Sequence, residues 1–265
     1  MSAATIIAFI ISLIIQVSFP LAVTLYFRRR YHTPWKLYGY GMLIFAVFQI
    51  VSWLPINVYL DATFGSRLTT ETGAFLWMLA TAFLTSLTEE GGRWLGYRFL
   101  FPPHKYTLSW ENGMMYGLGH ASMETMLLIA GLTFVYFIAY LVLGQVNQGA
   151  FFKTLPPVQA EEVSSALRDI MNTNWTQPVI VAVERILIFS HQLAWALMVL
   201  ASFIAKRKRW FLFAVIYHWM IAVIVPGLAN LYGFWVAEGI NAALCVLSIF
   251  IIIKLRTLLT EAHLS

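Results

Sequence analysis

Seven stretches of mostly apolar residues follow one another along the chain, at about 4–27, 37–60, 73–100, 113–143, 178–205, 210–228 and 232–255. A hydrocarbon core of about 30 Å needs about 20 residues of helix, each rising about 1.5 Å. Every stretch meets that length with room for tilt. The pattern predicts an all-α polytopic membrane protein, a seven-helix transmembrane bundle forming one integral membrane domain over residues 1–265. The first stretch, from Thr5 to Phe27, is too long for a signal-peptide core and lacks a basic start, so it reads as a retained span.

The polar positions between the stretches give the orientation. Arg28, Arg29, Arg30 and Lys36 follow the first, and Arg98 and Lys105 follow the third. Lys206, Arg207, Lys208 and Arg209 follow the fifth, and Lys254 and Arg256 close the seventh. The other connections hold only Arg67, Lys153 and Arg168. Basic residues concentrate on the cytoplasmic side, so the N-terminus is expected outside and the C-terminus inside. The long connection at about 144–177 is then extracytoplasmic. Its Glu161 and Glu162 could open a short surface helix with an apolar stripe of Val163, Ala166, Leu167 and Ile170; a solvated loop is the alternative.

Composition excludes a water-soluble domain. Only 11% of the residues are charged, against about 25% in soluble domains. The net charge of +5 comes from basic residues beside the spans, and no nucleic-acid partner is expected. The single cysteine, Cys245, cannot form an intramolecular disulfide.

Ionisable residues within apolar spans are costly and normally face the bundle interior. This chain has Glu89, Glu90 and Arg93 in the third span and His120 and Glu124 in the fourth. Glu184, Arg185 and His191 lie in the fifth, His218 in the sixth and Glu238 in the seventh, where Asn241 adds an amide. At about 1.5 Å per residue, His120 and His218 sit about 10–12 Å from the cytoplasmic end of their spans. Glu89, Glu90 and Glu124 sit at about 16–18 Å and His191 at about 20 Å. Four helices thus present acid or imidazole within a layer about 10 Å thick. His120 and Glu124, four positions apart, are expected on one helical face. Glu184 and Glu238 fall nearer the outer face. Glu238 reads as solvated, and the adjacent Glu184 and Arg185 are expected to point to different sides.

Two chemistries suit such a layer. A glutamate can activate water as general base while histidines stabilise the oxyanion. Alternatively, His120, His191 and His218 bind a zinc ion, with Glu124 or Glu89 completing the shell. HASME is not the HExxH zinc-protease motif. A proton-coupled transporter and a non-catalytic seven-helix binding scaffold remain alternatives, since membrane acids and histidines also mark ion paths.

TEEGGR at 88–93 resembles the EExxR/K signature of the CAAX-endopeptidase and PrsW superfamily of intramembrane proteases. YGLGH at 116–120 is similar to that superfamily's aromatic-xxx-His motif, and His218 in YHWM stands where its last histidine is expected. GHASME and the ER…SH pattern at 184–191 look most like the YhfC branch, classed as intramembrane metalloproteases. The resemblance implies an endopeptidase that hydrolyses a peptide bond of a membrane protein or lipidated peptide, in a bacterial plasma membrane. It implies Glu89 as the water-activating carboxylate and Glu90 as its partner, held by Arg93. His120 and His218 would position the attacked carbonyl. The superfamily often ends on HxxxN or HxxxD, whereas Ala222 follows His218 here. His191 or Asn241 is the expected substitute.

Overall fold

The computed structural model describes residues 2–144 and 167–261. Among these residues the chain forms helices and no strand. Helix α1 spans Ala3–Tyr31, α2 Trp35–Arg67, α3 Glu71–Phe99 and α4 Trp110–Leu143. Helix α5 spans Thr176–Ile204, α6 Arg209–Tyr232 and α7 Phe234–Glu261. Two helices carry π-helical segments: Ala46–Trp53 in α2 and Met123–Ile129 in α4.

Six helices are long and apolar enough to cross a membrane by length and composition. The exception is α3. It has 29 residues, but Glu89, Glu90, Arg93 and Arg98 crowd its second half. Its 29 residues would reach about 43 Å as ideal helix, so charge, not length, sets it apart.

Local chemistry sets the helix ends. Thr70 caps α3, its hydroxyl accepting from the Gly73 N–H at 3.1 Å, and Ser109 does the same for α4 through the Asn112 N–H at 3.3 Å. Helix α1 runs beyond the apolar stretch, through Arg28, Arg29 and Arg30, which suit the negative end of its dipole. Gly233, with φ of 86°, makes the tight break between α6 and α7. The surface helix considered for the long connection lies largely outside the described residues; within them, residues 167–171 are helical.

Helix α5 is the axis of the bundle. Two-thirds (67%) of its most apolar window is buried, against 17–28% in the other five apolar helices. It packs against α1, α3, α4, α6 and α7. Its second half carries Ala194, Ala196 and Ala201, all fully buried, whose small side chains let the neighbours close in. The outside of the bundle inverts the soluble pattern: Ile7, Ile14, Val51, Leu127, Val135 and Ile253 are all exposed. Such an apolar exterior is stable against acyl chains and not against water.

Helices α2 and α4 approach closely. A Cβ at Gly41 would collide with the Tyr116 carbonyl, and one at Gly119 with the backbone of Tyr38. Gly41 and Gly119 therefore bring two backbones into contact, and this contact fixes the depth and direction of His120, the residue after Gly119.

Candidate functional site

The polar layer gathers where α3, α4, α5 and α6 meet. Its centre is Arg93, fully buried. One turn earlier on α3, Glu89 and Glu90 flank it. Arg93 Nη2 donates to Glu89 Oε1 at 2.6 Å, and Nη1 donates to Glu90 Oε1. A guanidinium presents donors in a fixed fork, so one residue holds two carboxylates at set positions. Its plane also lies 5.9 Å from the Trp195 ring centre.

Each carboxylate takes one imidazole. The His120 Nε2–H donates to Glu89 Oε1 at 3.1 Å. The His218 Nδ1–H donates to Glu90 Oε1 at 2.9 Å. His218 stacks on Trp195, the ring centres 3.8 Å apart and the planes 8° from parallel. Phe45 meets His120 edge-on at 5.0 Å. Both rings are therefore fixed by a carboxylate and an aromatic neighbour together. Glu89 and His218 keep 5% and 7% of their surface accessible, whereas Glu90 and Arg93 keep none.

Glu124 joins the layer indirectly. The Gln192 amide donates to Glu124 Oε2 while its oxygen accepts from Arg93 Nη2. Arg185 Nη1 donates to Glu124 Oε1 at 2.9 Å. Glu124 and His120 thus both face the interior but take different partners, with the π segment of α4 starting between them at Met123.

Three expectations need correction. Glu238 is buried, 8% accessible, and accepts from the Asn241 amide at 2.9 Å; it is not a solvated boundary residue. Glu184 and Arg185 do pair, at 2.7 Å, because the arginine chain is long enough to reach back past its own Cα while its other Nη holds Glu124. His191 turns away from the carboxylates. Its Nε2–H donates to Asn241 Oδ1 at 3.0 Å, and Nδ1 accepts from the Ser248 hydroxyl at 2.7 Å. The reason is helical phase. Successive residues are about 100° apart, so Gln192 faces the site and His191 faces α7. The four donors His120, His191, His218 and Glu124 are not brought together. Among the described residues the group that is brought together is Glu89, Glu90 and His218, whose ligand atoms lie within 4.8 Å of one another.

Gln192 and Trp195 escape sequence reasoning. Gln192 could have been noticed as a neutral amide beside His191 on an apolar span. Trp195 gives no such signal, because an aromatic residue on a membrane helix usually packs without further duty.

A family model described as YhfC intramembrane metalloprotease matches residues 13–246. The chain belongs to the YhfC intramembrane metalloprotease family. It is 25% identical over 244 residues to the uncharacterized membrane protein YhfC of Bacillus subtilis (strain 168), a stretch covering 89% of this chain and 91% of that protein. No solved structure matches. With its apolar helices, this YhfC-family chain is an integral membrane protein, in keeping with a bacterial membrane and with the lipid bilayer as its surroundings.

The family name implies a metal, and the residues fit one. Two carboxylates and one imidazole match in number the three protein donors of catalytic zinc sites, and carboxylate oxygen and imidazole nitrogen each ligate zinc. Glu90 Oε2 is buried without a hydrogen-bond partner, an unpaired acceptor within the group.

Proposed function

We propose that this protein is an intramembrane endopeptidase that hydrolyses a peptide bond of a membrane-associated protein or lipidated peptide. The observation that carries this reading is the Glu89–Arg93–Glu90 cluster with one histidine on each carboxylate. Buried acids joined to imidazoles within a membrane bundle are characteristic of sites that move protons. The same reading takes all seven helices as spans of one membrane domain. With α3 included, the basic connections fall on one side, giving an external N-terminus and a cytoplasmic C-terminus. A reporter inserted after Lys208 should be cytoplasmic and one after Arg67 external; the reverse would reject this topology.

In this mechanism Glu89 is the general base. It is the more accessible of the two carboxylates, and both Arg93 and His120 bind its Oε1. That leaves Oε2 to take a proton from water. The water oxygen attacks the peptide carbonyl carbon, the C–N bond breaks, and the proton passes from Glu89 to the leaving amine. Glu90 accepts from the His218 Nδ1–H, which fixes the ring and leaves Nε2 as the lone-pair nitrogen that can take a proton. Gln192 ties Arg93 to Glu124, and Arg185 anchors the far side of Glu124, so α3, α4 and α5 hold one geometry. A bound divalent ion such as zinc would be held by Glu89, Glu90 and His218, and it would then acidify water and polarise a carbonyl in place of the free Glu89 base.

Bound metal is therefore expected in the purified protein, at a lower content in His218→Ala. Elemental analysis of both proteins checks this. Equal metal in the two would remove His218 from the ligand set.

The test of function compares membranes that contain the protein with membranes that lack it. New peptide N-termini inside or beside transmembrane segments should appear only in the former. A second reading, a silent scaffold, is favoured by the way Arg93 neutralises both carboxylates. A protein that assembles with partners yet generates no new termini would establish that reading.

A further inference from the structure

A cavity of about 830 Å³ lies between α3, α5 and α6, on the stretch of α3 that follows the site. Its two ends differ in chemistry. Arg98, Lys206 and Lys208 stand at the end formed by the last turn of α3 and the α5–α6 turn, and no acidic residue lines the cavity. None of these three cations is in an ion pair among the described residues. The α5–α6 turn is tight, with Lys206 in the left-handed region at φ of 50°. The rest of the wall is apolar. Trp94 and Phe203 stack at 5.4 Å between ring centres, and Leu212, 55% exposed, carries the cavity to the outer surface of the bundle. From Gly91 to Arg98 the α3 wall is about 10 Å long.

We propose that this cavity binds an anionic phospholipid, its phosphate among Arg98, Lys206 and Lys208 and an acyl chain along the apolar wall. Charge complementarity selects the headgroup: basic pockets between membrane helices attract acidic lipids. The wall selects a lipid over a peptide. An extended peptide would bring backbone N–H and C=O groups that need partners. The hydroxyl in the lining, Ser202, already donates to the Val199 carbonyl at 2.7 Å. An acyl chain needs no such partner. Free inorganic phosphate would satisfy the cations but leave the wall unused.

Native mass spectrometry of the full-length protein, released from micelles with matched-chain phosphatidylglycerol or phosphatidylcholine, tests the assignment. Phosphatidylglycerol should be retained in preference to phosphatidylcholine. Each of Arg98→Gln, Lys206→Gln and Lys208→Gln should weaken retention about fivefold. Arg29→Gln with Arg30→Gln, a change in a different basic connection, should leave retention unchanged. The three cations are exposed, so the single variants keep the test readable if a triple variant fails to fold. Equal retention of both lipids would overturn the proposal. So would unchanged retention in the three single variants, or displacement by inorganic phosphate or a soluble oligoglutamate as effective as displacement by phosphatidylglycerol.

Discussion

Glu89→Gln is expected to slow proteolysis by about 10²- to 10⁴-fold, the range that a general base contributes, while the protein stays folded. The substitution keeps the shape of the side chain. The glutamine Oε1 can still accept from Arg93 and from His120, as the carboxylate oxygen does now. What disappears is the group that takes a proton from water. The loss should therefore fall on kcat, with KM little changed, because substrate binding does not use that proton. Fragment release from a reconstituted substrate, measured beside thermal unfolding of the same preparation, separates chemistry from folding. A Glu89→Gln protein that cleaves at the wild-type rate would end the assignment. His120→Ala offers an independent reading. It removes the ring that orients Glu89 and should also slow cleavage, by a smaller factor.

The largest effect on stability is expected at Arg93. Arg93→Met should destabilise the protein by about 3–5 kcal/mol, the cost of removing one partner from a buried charge group. Methionine fills a similar volume, so the cost is electrostatic. Glu89 and Glu90 would face each other buried, and the Gln192 oxygen would lose its donor. Arg93→Lys should recover only part of this, because an ammonium cannot hold three oxygens in the planar fork of a guanidinium. Combining Arg93→Met with Glu89→Gln and Glu90→Gln should restore much of the stability, since no uncompensated charge then remains. Denaturant unfolding in micelles measures all three. If the single change costs as little as an exposed salt bridge, about 0–1 kcal/mol, then the cluster is not the buried charge group described here.

The helices were legible in the sequence because membrane burial requires long apolar runs, and such runs survive without any knowledge of neighbours. Each apolar stretch read from the sequence falls essentially on one helix, although α1, α2 and α7 run further than their stretches. That overrun is also physical. Basic residues such as Arg28, Arg29 and Arg256 can continue a helix past the hydrocarbon core, so hydropathy alone underestimates length. The members of the polar layer were legible for a related reason. An ion in a membrane span is costly enough that its presence is itself a signal.

Partnership is another matter, because partners lie on different helices and their meeting depends on helix rotation. Sequence spacing placed Glu89, Glu90 and Arg93 together, since i,i+3 and i,i+4 residues share a face. It could not place Gln192 toward Arg93 and His191 toward Asn241, a choice between two adjacent residues made by how α5 is turned against α7. It also misjudged Glu238, because depth along a helix does not reveal which side is covered. The sequence by itself determined an integral helical bundle with acid and imidazole at one depth. The tertiary structure decided which of those groups touch, because contact follows from the rotation and close approach of whole helices, such as the Gly41–Tyr116 and Gly119–Tyr38 crossings that set His120 against Glu89.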